Sequence, residues 1–115
     1  MDGLILTLFQ ITTNIKIYHW KTKKYSEHIA CDELYTKLIG TMDKLAEVYL
    51  GTVDRRFKFA KTIDIINLHN SEEVKEYIRD FVAYFNNVPL TPELVNIRDE
   101  SVGDCNRFIY LLSLL

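Results

Sequence analysis

The chain is poor in the residues that break and reverse a backbone. Four glycines and two prolines in 115 residues are too few for an all-β sandwich or barrel, which needs turn signals roughly every 8–12 residues. Cysteine is equally sparse. Cys31 and Cys105 form neither a CxxC pair nor a disulfide framework, which points to a reducing compartment and to packing as small apolar groups. Neither charge sign is in large excess: 14 Lys and Arg against 16 Asp and Glu give a net charge of −2. No basic surplus draws the chain to nucleic acid, which is not an expected partner. No apolar run reaches the roughly 18 residues of a membrane span, and the C-terminal FIYLLSLL is too short, so no membrane is expected either. The start, MDGLILTLFQITT, is acidic rather than basic, unlike a secretory leader. A cytoplasmic location is the expectation. P-loop, GxGxxG and Ser/His/Asp spacings are missing as well.

What the chain does have is apolar mass, 48% of its residues, with 12% aromatic, laid out at helical spacing. Leu4, Leu8, Ile11, Ile15 and Tyr18 recur every three or four residues, which predicts a first helix over about residues 4–22. After the polar break Lys21–Lys24, Ser26 suits an N-cap. A second helix then runs to Leu50, with Leu34, Leu38, Leu45 and Tyr49 as its stripe and Gly51 ending it. Residues 52–69 show no clean period and read as a long crossover holding a short helix or an extended piece. Asn70 with Glu73 fits a capping box for a third helix over about residues 71–87. Thr91 and Pro92 open a fourth, turning Leu94, Val95, Val102, Cys105, Phe108, Ile109 and Leu112 inward. The fold class is all-α: a single four-helix bundle over residues 1–115, with a long crossover between helices 2 and 3, the connectivity of ferritin-like folds.

The second helix carries a pattern of its own. From His28, Asp32 lies about 40° round the helix, Asp43 about 60° and Glu47 about 100°. All four therefore share one stripe beside the apolar face. Along the axis, however, Asp32 and Asp43 are about 16 Å apart, so one chain cannot gather them. Two chains can. The pairs His28/Glu47 and Asp32/Asp43 share a midpoint between Lys37 and Leu38. Two copies of the helix set antiparallel about a two-fold axis there bring His28 and Asp32 of one chain to Glu47 and Asp43 of the other. An isologous contact makes two such sites at once. Each offers one imidazole and three carboxylates, a set suited to iron, zinc or manganese, and His19 at the end of helix 1 adds a second imidazole. Taken singly, each acid reads as solvated surface and His28 as an exposed helix-start residue.

His19-Trp20, followed by His28-x3-Asp32-x10-Asp43-x3-Glu47 and the segment Asp43-Lys-Leu-Ala-Glu47, resembles the ferroxidase signature of the Dps-type miniferritins. The matching region covers about 30 of the 115 residues. The resemblance implies a ferritin-like bundle in which His19, His28 and Asp32 of one subunit and Asp43 and Glu47 of its two-fold mate bind iron. It also implies oxidation of Fe(II) by peroxide or dioxygen, and a homo-oligomer built on the two-fold dimer and able to assemble further. The chain is similar too to small Dps-like proteins of phages and large DNA viruses, through its length, its HW-K-T segment and its Asn/Ile/Lys-rich composition. Virion association, and a metal-free structural or assembly role for the same bundle, follow as the alternative reading.

Trp20 is expected to pack beneath the site. Glu100 and Asp104 lack a companion histidine and read as surface. His69 reads as a loop residue before a helix start. Lys21, Lys23, Lys24, Arg55, Arg56 and Lys58 read as solvated loop cations.

Overall fold

A computed structural model describes residues 1–114. It contains α1 (Asp2–Lys21), α2 (Tyr25–Leu50), α3 (Ser71–Asn86) and α4 (Pro92–Ser113), and no strand among the described residues. The helices form a ring in the order α1, α2, α4, α3, with α1 and α3 only lightly in contact. The apolar stripes meet in one core, in which Leu4, Leu8, Ile15, Leu38, Leu45, Val74, Ile78 and Phe85 are sealed from solvent. On α4, Leu94, Cys105, Phe108 and Leu112 are buried as expected. Val95, Val102 and Ile109 lie half-buried at the margin, and Ile97 and Ser101 take inner positions instead.

The helix ends follow local chemistry, with two departures from expectation. The Asn70 side chain accepts the Glu73 N–H at 2.9 Å, while the Glu73 carboxylate turns back onto the His69 N–H at 3.2 Å. The capping box thus closes one residue upstream. At α4, Thr91 holds the N-cap position through its carbonyl, which takes the Leu94 and Val95 amides, and Pro92 sits in the first turn, where no N–H is needed. Ser26 is not the cap of α2. The helix starts at Tyr25 after an extended Lys24, whose carbonyl takes the His28 amide at 3.0 Å, so Ser26 already lies in the first turn. Gly51 ends α2 with φ −70° and ψ −17°, a right-handed conformation, so the stop does not use the left-handed freedom of glycine.

The connection between α2 and α3, residues 51–70, is long and has neither helix nor strand beyond its first turn. It is nonetheless pinned along α1. At the start of α1, Asp2 takes the Arg55 guanidinium at 2.6 Å and the Lys58 N–H at 3.1 Å. Phe9 meets Phe59 edge to face, with ring centroids 6.4 Å apart. Further on, the Gln10 side chain accepts the Asp64 N–H at 2.9 Å. Asn14, 1% exposed, then acts as a surrogate strand partner. Its amide nitrogen donates to the Asp64 carbonyl (3.0 Å) and the Tyr77 hydroxyl (2.9 Å), and its oxygen accepts the Ile66 N–H (2.9 Å). A buried amide that satisfies main-chain groups replaces the ladder an extended segment lacks. Leu68 then enters the core just before α3 begins.

Candidate functional site

The short turn after α1 sets its end antiparallel to the start of α2, which places position 19 opposite position 28. The two imidazoles stack, with centroids 3.7 Å apart and planes within 15°. The contact is reciprocal: His19 Nδ1 lies 2.7 Å from the His28 carbonyl oxygen, and His28 Nδ1 lies 2.7 Å from the His19 carbonyl oxygen. A carbonyl only accepts, so each Nδ1 carries the hydrogen, and the lone pair of each neutral ring falls on Nε2. Neither Nε2 has a hydrogen-bond partner among the described residues. The arrangement also serves the fold, since the His19 carbonyl belongs to the last turn of α1, where no intrahelical donor remains.

Asp32 follows His28 by one helical turn and is exposed. It accepts a hydrogen bond from Lys16 Nζ of α1 at 3.2 Å. The same ammonium stands 4.6 Å from the Tyr35 ring centroid and 5.9 Å from that of Trp20. Trp20 itself is 69% exposed. It does not pack beneath the histidines within the chain; its place in the helix turns it outward, where its ring flanks Lys16.

Asp43 and Glu47 are exposed on the outer side of α2 and make no ion pair among the described residues. No three His, Cys, Asp or Glu side chains converge among the described residues. The chain therefore brings His19 and His28 together, keeps Asp32 one turn away, and leaves Asp43 and Glu47 far down the helix, as their spacing requires.

Glu27 is the polar group that sequence reasoning missed. It is 6% exposed. Its Oε1 accepts from the Tyr18 hydroxyl at 2.7 Å and the Thr22 hydroxyl at 3.3 Å. Burial, and then the hydrogen bond to the Glu27 carboxylate, push the Tyr18 phenol above its ordinary value. Burial first, with Glu27 nearby, pushes the Cys31 thiol up to about 12. The sequence carried no signal for it: an antiparallel turn pairs positions of constant sum, so the nine-residue spacing that Tyr18 and Glu27 share with His19 and His28 does not predict both contacts.

Among the remaining candidates, His69, Asp104 and Arg55 have partners of opposite charge. His69 pairs with Glu73 at 3.2 Å on the surface. Asp104 faces Lys37 at 3.6 Å, and Glu33 bonds Lys37 and Arg107 between α2 and α4. Arg55 is held by Asp2 and by the Tyr49 hydroxyl rather than free in solvent.

No curated protein and no solved structure matches this chain. A family model does, across residues 19–112, a span that begins at His19 and takes in α2, the crossover, α3 and most of α4. By that match the chain belongs to a family of unknown function, DUF5856.

Proposed function

We propose that the protein is a Dps-like, iron-binding ferroxidase whose sites are completed between two chains. The observation that carries this reading is the reciprocal histidine pair. Anchoring both Nδ1–H groups on main-chain carbonyls fixes the tautomer and turns Nε2 into a ligand, the usual way a protein prepares histidine for a metal. The donor set fits the ion: neutral imidazole nitrogens with carboxylate oxygens suit Fe(II), and also zinc or manganese. His19, His28 and Asp32 of one chain would hold the ion together with Asp43 and Glu47 of the other. The crossover adds support. It runs from the start of α1 toward its end, so α2 and α3 point the same way, as in a ferritin-like bundle.

Iron is the substrate here. Two Fe(II) ions each give up one electron, and one peroxide takes both electrons with two protons to leave as two waters. Carboxylates favour this direction, because the harder, more charged Fe(III) gains more from oxygen ligands. Without metal, the acids of the two chains repel one another, so metal binding should strengthen the dimer. The test is anaerobic Fe(II) titration of the purified protein, followed by peroxide. Wild type should bind and oxidise iron. The double variant Asp43→Asn with Glu47→Gln should lose oxidation while its metal-free dimer is as stable as wild type or more so. If that variant oxidises Fe(II) at the wild-type rate, the site is elsewhere and a metal-free structural role for the bundle replaces this reading.

A further inference from the structure

One candidate ligand already holds a cation. Lys16 Nζ sits 3.2 Å from Asp32 Oδ1, and the two side chains are 27% and 52% exposed. An exposed lysine ordinarily samples many rotamers and its ion pair contributes little. This one is flanked by two rings, Tyr35 at 4.6 Å and Trp20 at 5.9 Å, and cation–π attraction favours the bound position. An ammonium has three donors and no lone pair, so it cannot join a metal as a ligand. It occupies the oxygen a metal would take.

Resting on the metal-binding reading above, we infer that Lys16 is the resident counter-cation of the half-site, a positioning residue that a divalent ion must displace from Asp32. The ring pair that holds Lys16 also gives Trp20 a role consistent with its exposure. The displacement lowers the affinity of the site, since two cations compete for one carboxylate.

The test uses the full chain and Zn(II), which has no redox chemistry and fits the same donors. Lys16→Met keeps the apolar stem against Tyr35 and removes the charge; Lys16→Arg keeps the charge. Calorimetry should show Lys16→Met binding Zn(II) about two- to five-fold tighter than wild type, the worth of an exposed ion pair, and Lys16→Arg binding nearly as wild type does. Trp20 is the only tryptophan, and its emission reports on Lys16 as well as on its neighbour His19. Zn(II) should change it in both proteins, and by a larger amount in wild type, where Lys16 leaves the ring. Thermal melts confirm that both variants fold, and Lys16→Gln serves if Lys16→Met does not. Equal Zn(II) affinity in wild type and Lys16→Met overturns the role of Lys16 and leaves the metal site standing. Absence of Zn(II) binding in every protein removes the metal reading and the Lys16 proposal together.

Discussion

Replacing Asn14 by leucine tests whether the crossover is held by one buried amide. Leucine keeps asparagine's branching and heavy-atom count, but its methyls cannot sit 2.9–3.0 Å from the atoms the amide bonds, so the crossover must also draw back. Three hydrogen bonds vanish: to the Asp64 carbonyl, the Ile66 amide and the Tyr77 hydroxyl. At about 1 kcal/mol net each, the loss is about 3 kcal/mol if none of the abandoned groups finds water. Asp64 and Ile66 lie at the surface, and Ile66 is 37% exposed, so their main-chain groups rehydrate in part. Tyr77 is half-buried, and its phenol, pushed up by burial, gains least from water. The expected net cost is about 2–3 kcal/mol, a large share of the roughly 5–15 kcal/mol that holds a domain together. Urea unfolding should report it as a lower midpoint, and the Ile66 amide should lose its protection against hydrogen exchange. Helical circular dichroism should barely change, since residues 55–69 contribute no helix. A cost below about 0.5 kcal/mol, within the range of ordinary surface substitutions, together with an Ile66 amide still protected, would refute the argument that Asn14 pins the crossover.

Asp2 is held at a pKa of about 2, first by its hydrogen bond with Arg55 and next by the Lys58 N–H. A depressed carboxyl contributes stability that is present above its ordinary value, 3.8, and lost as pH falls through about 2. Acid titration of Asp2→Asn should therefore show a shallower loss of stability between pH 4 and 2 than wild type, and identical slopes would remove the pair from the account. Burial holds the thiols of Cys31 and Cys105 at about 12. Neither should react with a disulfide reagent at pH 8 until denaturant is added, when both should react; a thiol titrating at the free-cysteine rate in the native protein would show its pocket to be open.

The helices were legible because each buries a continuous apolar stripe, and a stripe is a property of one segment. Leu4 through Tyr18, and Leu34 through Leu45, needed nothing from elsewhere to declare their faces. The path of the crossover was not legible for the opposite reason. Asp2, Gln10 and Asn14 bond main-chain atoms fifty or more residues away, and a main-chain partner leaves no trace in residue identity. The one available hint was Asn14 itself, a polar residue set between Ile11 and Ile15 on the buried side of α1. Ser26 misled because a good cap residue is only a local preference, and the Lys24 carbonyl opens the helix two residues earlier. Trp20 misled because its neighbour His19 faces inward, whereas one step along a helix turns a side chain by about 100°.

The distribution of ion pairs along α2 separates two kinds of acid. Facing α4, Glu33 is bonded by Lys37 and Arg107, and Lys37 also faces Asp104. Those charges are spent on holding two helices of one chain together. Facing outward, Asp43 and Glu47 have no cation among the described residues, and Asp32 has only the ammonium lent by α1. A helix designed solely for its own bundle gains nothing from leaving two acids one turn apart, because their mutual repulsion is a small penalty at that spacing. The penalty is recovered if a cation arrives with a second chain. The histidine pair lies at the opposite end of the same stripe, its Nδ1 hydrogens committed and its Nε2 lone pairs free. In the proposed dimer, antiparallel pairing about the midpoint between Lys37 and Leu38 would carry the unpaired acids of one chain to the histidine pair of the other. One substitution pair, at positions 43 and 47, would then remove two of the five ligands from both sites at once without touching a residue of the core.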